Sequence, residues 1–231
     1  MNTANIKKYA PQARNDFMQA VAKRLNQFGI DADKTGQLLI SDVSIDGSVM
    51  QVAGNSFDSS FSTPRQKLLE RVKKQGFNQF VEHTAYTWFN RFCAIRYMEL
   101  HDYLDHGLRV LSHPEKENSF EILDHAQDIA QDLGLNRDHI VELKLAGNQD
   151  EQLYRELLLG QCHKLHQAMP FLFEALDDET ELLLPDNLTR TDSILRGLVN
   201  DIPEQDWQQV EIIGWLYQFY ISEKKDEVMG K

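Results

Sequence analysis

The chain has 231 residues, 42% of them hydrophobic and 26% charged, enough to bury one sizeable core without covalent staples, and it carries a formal net charge of −12 at pH 7. Its two cysteines, Cys93 and Cys162, lie far apart in helical-looking stretches, which argues for reduced thiols and against a disulfide framework. The opening MNTANIKKYAPQARND has no apolar segment and no window of about 18 residues is free of charge, so neither a secretory leader nor a membrane span is expected, and the expectation is a cytoplasmic globular protein.

From Pro11 to Phe28 the residues Phe17, Val21, Leu25 and Phe28 recur at helical spacing, with proline near the first turn and Gly29 as the stop. The same region is basic: Lys7, Lys8, Arg14, Lys23 and Arg24 stand against Asp16 alone. Residues 37–53 change texture, and the Asp46-Gly47 pair between alternating apolar positions signals a small β-hairpin excursion. Pro64 opens a second basic helix, with Arg65, Lys67, Arg71, Lys73 and Lys74 against Glu70, which Gly76 breaks. A long helical pattern follows from Phe77 to about Asp105.

After Pro114, Asn118 or Ser119 can cap a helix that Gly134 stops, and further helices are expected over Arg137 to Ala146 and from Asp150 to the residues before Pro170. PFLFEALDDETELLLPDNL reads as turn-rich packing. TDSILRGLVNDI, capped by Thr191 or Asp192, and a helix after Pro203 carrying Trp207, Val210, Ile213, Leu216 and Tyr217 complete the chain, ending in the solvated charge run SEKKDE. The expected fold class is mainly α: seven or eight helices around a central buried helix, with an N-terminal helix and hairpin over 1–60 and a helical bundle over 61–231.

The segment AYTWFNRFCAIRYMELHDYL tests that picture, because charged residues sit among aromatic and aliphatic ones. Advancing about 100° per residue from Arg91 puts His83, Thr84, Thr87, Asn90, His101, Asp102 and Asp105 on one polar strip of about 120°. The wider remaining arc takes Val81, Trp88, Phe89, Phe92, Leu100 and Leu104 among others, and with them Arg96 and Glu99. Two charges three residues apart on a buried face can reach each other, and leaving either unpaired would cost several kcal/mol, so an Arg96–Glu99 ion pair is expected. Arg91 lies on the polar strip, where a partner outside this helix could be reached.

WFNRFCAIRYMELHDYL, with NIKKYAPQARNDF near the start and EIIGWLYQFYISEKKDEV near the end, resembles the N-terminal region of the PglX-type adenine-specific DNA methyltransferases of bacteriophage-exclusion (BREX) defence systems. More broadly, the helix is similar to the helical segment before the methyltransferase core of type IIG restriction-modification enzymes, the matching positions being Asn90, Arg91, Ile95, Arg96 and Glu99. LHDYL departs from the charged ending those relatives often show. The resemblance implies S-adenosylmethionine as methyl donor for the whole enzyme, double-stranded DNA as substrate, other BREX components as partners, and a catalytic methyltransferase domain beyond this chain.

The catalytic signatures themselves are missing from these residues. An adenine methyltransferase needs a glycine-rich strand-to-helix loop for its cofactor and an Asn-Pro-Pro-Tyr-type motif for the extruded base. VAGNSF, at 52–57, is the one glycine-bearing candidate and has no βαβ pattern after it, so no catalytic or cofactor-binding residue is assigned. Cys162, His163 and His166 have the ligand type for zinc but lack a second pair, so no metal is expected. Structural or interdomain roles fall to Asn90, Arg91, Arg96 and Glu99, and DNA-backbone contact to the ten basic residues of the two basic helices.

Overall fold

A computed structural model describes residues 3–170, 173 and 176–229, with the side chains of 178 and 223–229 excepted. In chain order it contains α1 (Ala4–Gln27), β1 (Ile30–Ala32), β2 (Leu38–Ile40), β3 (Val43–Asp46), β4 (Val49–Val52), β5 (Asn55–Asp58), α2 (Ser62–Gln75) and α3 (Phe77–Leu100). Then come the short α4 (Glu121–Asp124) and α5 (Ala126–Ile129), α6 (Arg137–Ala146), α7 (Asp150–Ala168), α8 (Asp178–Glu181), α9 (Ile194–Asn200) and α10 (Glu211–Met229). The class is mainly α. The chain forms two compact units that interleave in sequence, one of residues 15–88 and 176–186, the other of 1–14, 89–175 and 187–231.

The first unit carries both sheets. β1 and β2 pair antiparallel with Ile30 opposite Ile40, and β3, β4 and β5 form an antiparallel meander. Along β4 the exposure alternates, so Met50 and Val52 point inward while Val49 and Gln51 face out, as a half-buried pleated strand requires. Phe28 stacks on Phe57 at 4.4 Å between centroids, and Phe61 meets Phe28 edge-on at 6.4 Å. Gly29 turns the chain out of α1 at φ +70°, and a Cβ there would lie 2.5 Å from Val52 Cγ2, so both backbone sign and space demand glycine.

The hairpin signal at Asp46-Gly47 is realised as β3–β4. Positive φ there is confined to Gly47, the first of the two turn residues Gly47 and Ser48, which is the II′ pattern. The strand region nevertheless extends beyond a two-stranded excursion over 37–53: β1, paired with β2 in a sheet of its own, lies before that range, and β5, the third strand of the meander, after it.

The second unit is helical. Phe120 stacks on Tyr154 of α7 at 4.0 Å, and Tyr154 donates to the Val110 carbonyl at 3.0 Å. On α10, Leu216 and Tyr220 are buried, and Tyr220 stacks on Phe89 at 4.3 Å. A Cβ on Gly160 of α7 would sit 3.2 Å from Leu133, so the small residue allows a close approach.

Several boundaries differ from the periodicity reading for identifiable reasons. α1 begins at Ala4 and carries Pro11 inside it, although an interior proline costs about 3 kcal/mol. The preceding turns bury Ile6, Tyr9 and Ala10, and one fully buried aliphatic side chain contributes about 1.5–3 kcal/mol, so their combined burial exceeds the proline cost. α3 stops at Leu100: Tyr103 N–H donates to the Met98 carbonyl and Asp102 takes φ +54°, a Schellman ending without glycine. The stretch expected as one helix before Gly134 is α4 and α5, interrupted at His125. Ser193, one residue past Thr191 and Asp192, caps α9 by accepting from Leu195 N–H. The charge run SEKKDE lies, from Glu223 onward, outside the described side chains.

Candidate functional site: a buried ion network and exposed lysines

Near the C-terminal end of α3, Arg96 and Glu99 face the interior at adjacent turns. Arg96 Nη1 donates to Glu99 Oε1 at 2.6 Å, and the two side chains are 1% and 0% exposed. The pair does not stand alone. Ser112 Oγ accepts from Arg96 Nη1 at 2.8 Å and donates to Glu99 Oε1 at 3.0 Å, while Glu99 Oε2 accepts from the Val110 and Leu111 amides, each at 2.7 Å. Four donors therefore converge on one carboxylate, which satisfies the lone pairs that burial would otherwise leave costly. Arg96 Nη2 also lies 3.5 Å from Glu204 Oε1, the oxygen that Arg109 Nη1 reaches at 2.5 Å.

Glu99 can clamp Val110–Ser112 because α3 ends where it does. The left-handed Asp102 reverses the chain, and residues 110–112 return alongside the last turn of α3. Ser112, Arg109 and Glu204 were not legible as members: their sequence distances from Glu99 carry no periodic signal. Arg91, on the strip read as polar, is only 5% exposed, and Thr84 of the same strip is buried too. A helical wheel sees only one helix, and the rest of the fold covers part of the strip it labels wet. Asn90 is half-buried.

The ten basic residues separate by exposure. Lys7, Lys8, Lys23, Lys67, Lys73 and Lys74 are exposed, and none has an ion-pair partner among the described residues. Lys67 and Lys74 are seven residues apart and so share one face of α2. The arginines are engaged within the fold. Arg24 holds Asp186 at 2.8 Å and the Leu182 carbonyl at 2.9 Å; Arg65 donates to the Phe28 carbonyl at 2.6 Å and the Ser41 carbonyl at 3.2 Å. Arg71 reaches Asp177 at 3.0 Å and packs over Phe80, and Arg14 is buried. Burial holds the Arg24 and Arg65 guanidinium pKa values below the usual arginine value.

The two other sequence candidates are built into packing. VAGNSF is the antiparallel turn from β4 into β5, with Ala53 and Gly54 both at positive φ and Val52 opposite Asn55. Such a turn provides no strand-to-helix phosphate cradle. Cys162 is buried on α7, and His166 Nδ1 lies 2.6 Å from the Phe173 carbonyl.

No protein-family model matches the chain. Among curated proteins it is 65% identical over 232 residues to the adenine-specific methyltransferase BrxX of Escherichia coli O9:H4 (strain HS), an alignment covering 100% of this chain and 19% of that protein. It is 33% identical over 250 residues to the adenine-specific methyltransferase PglX of Lacticaseibacillus casei (strain Zhang), covering 100% of this chain and 20% of that one. The chain is thus homologous over its whole length to the N-terminal region of these two methyltransferases and spans about a fifth of their length. No described helix is long and apolar enough to cross a membrane.

Proposed function

We propose that the chain is a helical scaffold module of an adenine-specific DNA methyltransferase, supporting the catalytic domain and helping to hold duplex DNA through exposed lysines. The whole enzyme would transfer a methyl group from S-adenosylmethionine to adenine N6 at specific sites, in a BREX-type defence against phage. The observation that carries this reading is homology along the full chain to two proteins named as adenine-specific methyltransferases, each about five times longer. The methyl donor would be held outside the described residues, because their glycine-bearing candidate is an antiparallel hairpin turn.

DNA contact rests on chemistry. A net charge of −12 opposes a polyanion, yet the acids are not spread evenly, and Lys67, Lys73 and Lys74 present exposed ammonium groups on one helix. Lysines that neutralise phosphates release counterions, so binding should fall steeply with salt. A salt titration of duplex binding by the 231-residue chain tests this: each lysine-to-glutamine change at 67, 73 or 74 should reduce the log–log slope by about one. Absence of binding at low salt would remove DNA contact.

A second reading, in which the module docks other defence components and never touches DNA, draws on a different feature. Val210, just before α10, and Trp215 and Tyr217 on it are exposed, unusual for large apolar side chains with two aromatic rings so close. Alanine at Trp215 and Tyr217 would then weaken association with such a component while leaving the salt titration unchanged.

A further inference from the structure

Beside the buried network the helical unit contains a cleft of about 400 Å³, lined by Arg96, Ser112, Lys116, Ser119, Arg196 and Glu204 among others. This is within the roughly 300–1,000 Å³ range of small-molecule sites. Most of its charges are balanced. Arg96 is neutralised by Glu99, Glu204 by Arg109, and Lys116 by Asp124. Glu117 is also on the wall, so the acids are not remote.

Arg196 differs. It is only 4% exposed, yet among the described residues no carboxylate pairs with it. Its guanidinium carbon stands 4.2 Å over the Phe120 ring, and Nη2 donates to the Asn118 carbonyl at 2.7 Å and more weakly to Thr189 at 3.5 Å. Nε is buried with no hydrogen-bond partner, as is Nε of Arg96 on the same cleft. Burial holds the Arg196 pKa below the usual arginine value. A buried cation without a counterion is destabilising, and the fold nevertheless fixes this one in place, with an aromatic floor below and a carbonyl at one corner.

Asn118 takes φ +55°, a left-handed conformation that asparagine tolerates, in the loop whose Asn118 carbonyl accepts from Arg196. His113 Nδ1 accepts the Glu115 and Lys116 amides at 3.0 and 3.1 Å, so the loop is braced from within. The site is built and polar, and among the described residues its buried Arg196 has no carboxylate partner.

We propose that this cleft binds a phosphate group, with Arg196 as its anchoring cation, Lys116 at the rim and the hydroxyl of Ser119 as a further donor. Guanidinium and phosphate match in geometry, and charge-assisted bonds of this kind are about twice as strong as neutral ones. The group could come from a free small molecule or from a polynucleotide backbone, and the chemistry of recognition is the same. The proposal does not depend on the lysines of α2, which lie in the other unit.

The test measures inorganic phosphate binding to the 231-residue chain by ³¹P line broadening and by thermal shift, with chloride at matched ionic strength as control. A phosphate-specific response is expected, weakened by about tenfold or more in Arg196→Met and by a smaller factor in Lys116→Gln, whose exposed position protects folding. Displacement of bound phosphate by a DNA duplex would assign the ligand to a backbone; displacement by a nucleoside monophosphate but not by duplex would assign it to a small molecule. No phosphate-specific response in the unaltered chain, or an undiminished one in a folded Arg196→Met, would overturn the proposal. Duplex binding that survives Arg196→Met but is lost on neutralising Lys67, Lys73 and Lys74 keeps the two questions separate.

Discussion

Glu99 holds Arg96 at 2.6 Å from one turn along α3 and, with its other oxygen, the Val110 and Leu111 amides at 2.7 Å. Its carboxylate is therefore two things at once, a counterion and the cap of a returning loop. Replacing it with alanine strands a buried guanidinium and two amide donors. We expect Glu99→Ala to lose at least about 3–5 kcal/mol in urea denaturation, the range for breaking a buried pair. A loss under about 1 kcal/mol would mean that the network is not closed to water.

The double variant Arg96→Met, Glu99→Leu separates the two roles. Removing both charges of a buried pair is often neutral, so the ion-pair part of the loss should be recovered. The amides of Val110 and Leu111 stay without an acceptor, each at about 1–3 kcal/mol. The double variant should accordingly fall between the parent and Glu99→Ala. Equality with the parent would show that the amide contacts add nothing.

The intrahelical half of this network is legible in sequence, the other half is not. Arg96 and Glu99 fall on the apolar arc of a single helix, and one helix suffices to predict that they meet. Ser112 and Glu204 join through chain reversals whose signals are weak: Asp102 ends α3 in a left-handed conformation that readers of sequence assign to glycine first. The burial of Arg91 is not legible for the reciprocal reason, since a wheel cannot know what covers a strip from outside. β5 was missed because the turn before it reads Ala53-Gly54, not Asn-Gly, although its backbone signs are those of an Asn-Gly turn.

That turn yields a stabilising change. Ala53 sits at φ +49° and is exposed, a conformation costing an ordinary L-residue about 1–2 kcal/mol. Asparagine tolerates it and restores the favoured pair with Gly54. Ala53→Asn should raise stability by about 0.5–1 kcal/mol without moving the β4–β5 register. A drop in stability would mean that the positive φ is not held in solution.

The thiols make a kinetic prediction. Cys93 is fully enclosed in α3, and desolvation pushes its pKa far above the usual thiol value; Cys162 is buried on α7. Thiolate is the reactive form, so neither should react with Ellman's reagent at pH 8 in the folded chain, whereas both should react in guanidinium. The labelling rate should track unfolding. Rapid native labelling would place one of these cysteines at the surface.

Acid stability can be traced in part to Asp124. The Lys116 ammonium bonded to it, and more weakly His113 at 3.3 Å, hold its pKa below the usual 3.8. A carboxylate depressed in the folded state binds fewer protons there than when unfolded, so its stabilisation is complete above the unfolded value and is lost as pH falls through the lower folded one. Because Asp124 is 40% and Lys116 57% exposed, solvent screens the pair and its worth stays under about 1 kcal/mol. Asp124→Asn should therefore cost a fraction of a kilocalorie at neutral pH and leave a shallower loss below pH 3.8. Unfolding curves of the two proteins should converge toward the acid end of the range; parallel curves down to the lowest pH would mean that the carboxylate is not depressed in the folded chain.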